Sequence, residues 1–395
     1  MKKSIKTIIW VGLDVHKKGI SVCWYEGDSQ AEEFRAMGNS RGEIKLLFGR
    51  LRRRGEVRAC YEAGPCGYEV RRVLSEMGIH CDVIAPSLIP KMAGDRVKTD
   101  RKDARKLARL YRAGELTLVR VPTEQEEAAR DLVRCREDLR EDAQRARHRL
   151  LKFMLRRGRI WTQGKNWTLR HWRWLRQQKF KEMEAQRTFE EYVVQLETRL
   201  DRQGMMDQEL NELAQREPWK AMVDRLRSLK GFDTLSALIV AVEVVDFRRF
   251  RSPRELAAYL GVTPTLYASG EKSVKGRITK CGNRHVRRVL TEASWSYARP
   301  VQPAERIRQR TEGQPPWVHD VAVKAQHRLH MRYRRLLGRG KRINVANVAV
   351  TRELAGFIWA LMVGVPARRT GSPPDRESTR SFVLTGRVNT GKKAA

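Results

Sequence analysis

Two β-rich runs, 5–15 and 19–26, joined by a short basic turn, open a chain whose strand signal stops at Pro122. That asymmetry limits the possible folds more than any other feature. A third run at 32–37 completes a meander. After it the pattern predicts a helix over 42–53, a strand over 57–62, a helix over 68–77, a strand over 81–85 and a helix over 100–112. Beyond Pro122 apolar residues recur at alternating spacings of four and three, at Leu139, Ala143, Ala146, Leu150 and Phe153. Phe189, Val193, Leu196 and Leu200 repeat the pattern, so two long helices pair antiparallel as a coiled-coil hairpin. From Trp219 onward the sequence reads as mainly helical.

The order βββαβαβα is what a ribonuclease-H-like α/β layer requires. In it Asp14 falls on the first strand, Glu62 ends the fourth, and Asp100 and Asp103 share one helix face at i, i+3. Four distant carboxylates can therefore converge. In a chain that binds phosphate such a convergence is unfavourable by itself, because each acid repels the ligand and raises its neighbours' pKa. A bound cation removes the conflict. Two Mg²⁺ ions held by Asp14, Glu62, Asp100 and Asp103 would clamp a scissile phosphodiester and activate the attacking oxygen.

The partner is indicated by charge. Lys and Arg number 81 against 46 Asp and Glu, a formal charge of +35, which points to polyanions. The six cysteines form no CxxC pair, so neither zinc nor a disulfide framework is expected. The short apolar run near the N-terminus ends at Asp14 without a cleavage motif and reads as a buried strand. The stretch 343–365 carries Arg352 and Glu353 in its middle and reads as a packed helix, so a cytoplasmic protein with no membrane association is expected.

Between positions 143 and 181 there are 13 Lys or Arg and no Asp or Glu, interleaved with Trp161, Trp167, Trp172 and Trp174. Arg145, Arg149, Lys152, Arg156, Arg157 and Arg170 would follow phosphates while the indoles stack on unpaired bases, which suits RNA or single strands. The alternative is a solvated basic helix whose tryptophans anchor the hairpin. Further on, Gly231 followed by a small-residue apolar helix resembles a helix-hairpin-helix. Asp233 stands where a second glycine is usual, and a purely structural hairpin fits equally well.

Ser269 lies in a polar stretch beside Gly270, with Lys272, Lys275, Arg277, Lys280, Arg284 and Arg287 close by. A serine attacking phosphorus needs deprotonation, neutralisation of an anionic transition state and close backbone approach. The cluster supplies the last two. Composition alone favours an ordinary loop serine.

The ordered motifs GLDVHKK, YEAGPCGY, KTDRKDARKLARL and LGVTPTLYASGEKSVKGRITKCGNRHVRRVL together resemble the IS one-ten family of insertion-sequence transposases over roughly residues 8–363. The basic hairpin and YRRLLGRGKRINVANVAVTRELAGFIWAL fit as well. The resemblance implies a bridge-RNA-guided recombinase with a RuvC-like domain (1–121), a basic helical hairpin (122–215), an all-α transposase domain with a catalytic serine (216–366) and a disordered basic tail (367–395). Asp14, Glu62, Asp100 and Asp103 match its metal-binding quartet, and Ser269 matches the serine of its tyrosine-x-serine-glycine motif. Asp233 and Cys281 depart from the family pattern at points that bear on local DNA contacts.

The expected activity is RNA-guided DNA recombination through a Ser269 phosphoserine–DNA intermediate assisted by Mg²⁺. The expected partners are donor and target DNA and a structured non-coding guide RNA. The resemblance further implies a homodimer or tetramer in which the serine domain of one subunit completes the acidic site of another, and nucleoid association. Two alternatives belong to other classes. One is a structure-selective resolvase that uses metal-activated water, with Ser269 a bystander. The other is a non-catalytic RNA-binding scaffold whose acids serve as caps and ion-pair partners. His16 and His285 lack a second histidine at ligand spacing and read as phosphate contacts or surface residues.

Overall fold

The computed structural model describes residues 7–90, 99–269 and 272–364. It falls into two compact units, Met1–Ala128 and Ala129–Ala395.

In the first unit three strands, β1 (Ile8–Val15), β2 (Gly19–Glu26) and β3 (Glu32–Gly38), form the antiparallel meander, followed by α1 (Arg41–Arg54), β4 (Glu56–Glu62), α2 (Glu69–Glu76), β5 (His80–Ile84), α3 (Asp100–Arg112) and a short β6 (Leu118–Val119). The sheet order is β3-β2-β1-β4-β5-β6, with β1, β4 and β5 mutually parallel. This mixed sheet is the RNase H-like layer that the sequence order predicts. Alternation along β1 divides its residues between two faces. Ile9, Val11 and Leu13 join Phe48, Leu51, Val73 and Leu74 of α1 and α2 in one core. The opposite face, from Trp10 through Gly12 to Asp14, receives α3.

Contact between α3 and the sheet depends on small residues. A Cβ on Gly12 would lie 2.3 Å from both the Ala104 carbonyl oxygen and the Ala108 nitrogen, so the helix backbone rests directly on the strand. Ala104 and Ala108 are completely buried there. Backbone cannot yield as a flexible side chain does. Gly12→Ala is therefore expected to cost about 3 kcal/mol, the upper end for overpacking, and to lift α3 with its acidic first turn. Urea unfolding of the variant checks this. An unchanged midpoint would contradict the close approach.

The second unit is built mainly from helices. α4 (Glu124–Arg156) begins in the first unit and continues here, followed by α5 (Leu169–Arg176), α6 (Met183–Leu213), α7 (Trp219–Arg227), α8 (Thr234–Val244) and α9 (Pro253–Tyr259). Strands β7 (Pro264–Ser269) and β8 (Lys272–Ile278) come next, then α10 (Arg284–Ser294), α11 (Ala304–Arg310), α12 (Pro316–Gly338) and α13 (Ile343–Val363). α4 and α6 pair antiparallel. Phe153 and Leu150 pack with Ala185 and Phe189 at one end of the pair. At the other, Ala129 and Val133 share a core with Leu210 and Ala214, and Arg136 Nε donates to Asp207 Oδ1 at 2.6 Å.

α13 is long and apolar enough to cross a membrane by length and composition. Its inward stripe, Ala346, Val350, Leu354, Ile358 and Leu361, is almost completely buried in the core shared with α8, α10 and α12. This is the packing expected for the 343–365 stretch.

Residues 264–269 and 272–278 correct the sequence reading, which placed a polar loop inside an all-α domain. They form the β7–β8 hairpin instead. Leu266, Tyr267 and Val274 are 61%, 71% and 62% exposed, so no apolar-in, polar-out alternation announces the strands. What favours extended backbone is the β-branched and aromatic content at Thr265, Tyr267, Val274 and Ile278.

Packing and backbone conformation call for a glycine at the Gly231 turn. Gly231 has φ +93°, and a Cβ there would lie 2.5 Å from the Ala293 carbonyl oxygen of α10. Asp233 is the N-cap of α8, its Oδ1 accepting from the Ser236 nitrogen at 2.8 Å. The carboxylate that looked anomalous for phosphate binding is a helix cap.

Candidate active site

Asp14 and Glu62 stand at the C-terminal ends of adjacent parallel strands. Gly12 pairs with Cys60 and Leu13 with Tyr61, so the next residues in register are Asp14 and Glu62, on the face that carries Gly12 and Cys60. α3 covers this face, with Gly12 beneath Ala104 and Ala108 and the Cys60 thiol 3.8 Å from the Leu107 carbonyl oxygen. One turn before Ala104 comes Asp100. Thr99 caps the helix by accepting from the Lys102 nitrogen at 3.3 Å, and Asp100 and Asp103 lie in the first turn, where the helix dipole favours negative charge.

The result is a tight cluster. His16 Nε2 lies 3.2 Å from Asp14 Oδ2 and 3.8 Å from Asp100 Oδ1, and one ligand atom from each of the three residues lies within 4.8 Å of the others. Partial burial raises the Asp14 carboxyl above its ordinary value. The His16 ring opposes that rise, while the charges of Asp100 and Asp103 add to it. The structure thus brings Asp14 and Asp100 together, places Asp103 close enough to act on Asp14 electrostatically, and sets exposed Glu62 beside Asp14 by strand register.

Carboxylates with one imidazole form a donor set that fits a divalent cation. Asp14, Asp100, Glu62 and Asp103 are the residues that would hold it. His16, which the sequence reading gave as a phosphate contact or surface residue, stands between Asp14 and Asp100. The signal was present, because Asp14 and His16 are two apart at the end of a strand and so share a side.

Ser269 is the last residue of β7, and its backbone pairs with Lys272 of β8. Lys275 also lies on β8, while Arg277, Lys280 and Arg284 are exposed along the strand and on into α10. Arg287 is engaged elsewhere. Its Nη1 donates to the Leu260 carbonyl at 2.9 Å, tying α10 to the end of α9. The exit from the hairpin is fixed by a buried polar group. Asn283 caps α10 and donates to Glu243 Oε2 at 2.7 Å, and Arg134 grips the same carboxylate at 2.8 and 3.1 Å. With its side chain only 1% exposed, Glu243 links α8, α4 and the start of α10.

At the far end of the helical pair Arg149, Lys152, Arg156, Arg157 and Arg170 are exposed, whereas Arg145 pairs with Asp142 and with Glu141. The indoles of Trp161, Trp167 and Trp174 surround buried His171, with ring centroids 5.5, 5.1 and 5.6 Å from it, and Trp172 leans on Trp167 at 5.8 Å. His171 Nδ1 accepts from the Trp167 nitrogen at 3.0 Å. The tryptophans therefore anchor this tip while each remains partly open to solvent.

Burial lowers the His171 pKa below its ordinary value of 6.5, so the folded tip prefers the neutral ring. The unfolded chain takes up that proton more readily. Stability contributed by His171 is accordingly full above about pH 6.5 and falls as the pH drops below it. Unfolding followed by tryptophan fluorescence between pH 8 and 5 is expected to register the loss, and His171→Phe to abolish this component.

Comparison with known proteins places the chain. A family model described as "Transposase" matches residues 11–157, and one described as "Transposase IS116/IS110/IS902 family" matches residues 223–309. The chain is 40% identical over 366 residues to "Putative transposase y4qE" of Sinorhizobium fredii, covering 92% of this chain and 90% of that protein. It belongs to the IS110 family of transposases. A further relative, "Transposase for insertion sequence element IS1533" of Leptospira borgpetersenii, is 33% identical over 344 residues, covering 86% of this chain and 99% of that protein. Membership in the IS110 family makes the chain a DNA-cleaving and rejoining enzyme with DNA as its partner, and its DEDD-type domain points to divalent metal use. The first matched segment contains Asp14, His16, Glu62, Asp100 and Asp103, and the second contains Ser269.

Proposed function

We propose that this IS110-family enzyme is an RNA-guided transposase that exchanges DNA strands through an ester between Ser269 and a DNA phosphate. Its acidic group is Asp14, Glu62, Asp100 and Asp103, with Mg²⁺, two ions, as the metal. The observation that carries the reading is the convergence of Asp14 and Asp100 around His16 at the end of β1. When bound, a divalent cation supplies positive charge for phosphate oxygens and lowers the proton affinity of a coordinated hydroxyl.

Ser269 Oγ gives up its proton and forms a bond to phosphorus. The bond from phosphorus to the departing sugar oxygen breaks, and that oxygen takes up a proton. The serine ester preserves the phosphodiester's reactivity, so a sugar hydroxyl of the second strand can displace Ser269 and complete the exchange. Water as nucleophile would leave a nick. Arg277, Lys280 and Arg284, with Lys272 and Lys275 of β8, supply cationic surroundings for the anionic transition state.

Exposed Arg149, Lys152, Arg156, Arg157 and Arg170 at the hairpin tip, with the partly open tryptophans, support a structured guide RNA as second partner. Base pairing by that RNA would supply sequence readout. Assembly as a homodimer or tetramer, division at residues 121, 215 and 366, and a cytoplasmic, nucleoid-associated location belong to the same reading.

The test of the chemistry is a denaturing gel of protein incubated with labelled DNA, copurifying RNA and Mg²⁺. A covalent protein–DNA band is expected from the native chain and none from Ser269→Ala. Cleavage by Ser269→Ala with no adduct from either protein would transfer the function to a water-using resolvase. Sequencing the copurifying RNA tests the guide. A discrete species with loops complementary to flanking and target DNA is expected, and a random mixture would remove the guide from the reading.

A further inference from the structure

A groove of about 1170 Å³ runs across the second unit between α9, β7, α12 and α13. Its apolar surface comes from Ala257, Leu266, Val321, Ala349, Phe357 and Ala360. Five cations line it: Arg254 on α9, Lys324, Arg328 and Arg332 on α12, and Arg352 on α13. The three on α12 are spaced four residues apart and so form a row with a step of about 6 Å along the helix axis.

Against these five stands one lining carboxylate, Glu353, which is already engaged by Arg328 and lies 3.9 Å from Arg332. Arg332 Nε is enclosed and has no hydrogen-bond acceptor. Exposed Arg254 and Arg352 have no carboxylate partner among the described residues. The charge is therefore complementary to a polyanion, and the apolar surface lies between cationic walls. A duplex keeps its bases stacked inside and presents phosphates to a surface. An unpaired strand presents phosphates, sugars and base faces together, which is the combination this groove matches.

One wall is β7 itself. Leu266, which lines the groove, lies three residues before Ser269 on the same strand. We infer that the groove holds an unpaired stretch of the DNA strand adjoining the phosphate that Ser269 attacks, with phosphates on the α12 row and bases against Phe357 and Leu266. The inference rests on the serine reading for its choice of DNA over RNA. It adds to that reading a place where a strand is held before and after exchange.

The test uses the full chain with benzoylphenylalanine introduced at Phe357 and, because Phe357 is half-buried, separately at Leu266, which is 61% exposed. The probes are labelled DNA with an unpaired segment at the cleavage site, the fully paired equivalent, and RNA of the same sequence. Both positions are expected to crosslink the unpaired DNA on irradiation. The triple substitution Arg254→Gln, Lys324→Gln, Arg352→Gln is expected to cut the yield at least tenfold without moving the melting temperature.

Crosslinking in a Ser269→Ala background separates the two ideas. It is expected to persist there, so a missing covalent adduct with intact crosslinking removes the serine step and leaves the groove. An intact adduct without crosslinking at either position removes the groove. Crosslinks to RNA alone, to paired DNA as strongly as to unpaired, or to a second copy of the chain would each overturn the assignment.

Discussion

Asp14→Asn is expected to reduce strand cleavage by about a thousandfold or more while leaving the protein folded and melting at the same temperature or slightly higher. The two halves of this outcome come from one arrangement. Asp14 is held in a partly buried place beside Asp100 and Asp103, where ionisation is disfavoured and its carboxyl is raised. A folded-state carboxyl pKa above the unfolded value means that the unfolded chain loses its proton first as pH rises. Stability therefore declines through the window that begins near the ordinary Asp value of 3.8, and at neutral pH the charge is a cost in the absence of metal.

An amide of the same shape removes that cost. It also removes a ligand. Calorimetric titration with Mg²⁺ is expected to give at least tenfold weaker binding for Asp14→Asn, and Asp100→Asn is expected to behave likewise. Unchanged metal affinity in both variants would show that the acids are caps and ion-pair partners, as in the scaffold alternative. Loss of activity together with loss of stability would indicate only a damaged fold. Measuring cleavage, metal binding and melting on the same preparation keeps the three outcomes apart.

Most of the first unit was legible because its elements are simple solutions to burial. The order of strands and helices, the terminal positions of Asp14 and Glu62, and the shared helix face of Asp100 and Asp103 all follow from periods of two and about 3.6. What the sequence could not display was distance. That α3 lies on β1 depends on Gly12, and nothing in GLDVHKK distinguishes a glycine required by a neighbouring helix from one in an ordinary strand. His16 read as a phosphate contact or surface residue for a related reason. It has no second histidine, and its importance comes from Asp100, which is brought close only by that packing.

In the second unit the paired helices were legible from their spacing, and the β7–β8 hairpin was not. Leu266 and Tyr267, neighbours on opposite faces of β7, are both exposed, so the described residues carry no burial period and looked like loop. Arg287 shows the opposite limit. It read as one more cation for nucleic acid, yet its guanidinium is bound to a backbone carbonyl and partly buried, a commitment that depends on where α9 ends. The Trp residues of the tip were legible as a group. Their division between packing on His171 and open ring faces could only be seen in three dimensions.

Ser269→Ala is expected to abolish the covalent protein–DNA species, and the double variant Asp14→Asn, Ser269→Ala to be no slower in strand exchange than the slower single variant. Groups that act in one step are strongly non-additive when removed, because the second deletion takes away an interaction already rendered useless. If Ser269 is the nucleophile and Asp14 helps hold the ion that assists it, either change alone forfeits the same transition state. Independent roles give the other pattern. Were the acids to drive hydrolysis by water while Ser269 served only to bind DNA, the losses would multiply, and the single serine variant would retain cleavage at reduced affinity. Full kinetic comparison of the four proteins on one DNA substrate therefore separates a shared recombination step from a nuclease with a nearby serine. It does so without assuming how the two units are arranged, because coupling of rates measures whether their residues meet in the reaction.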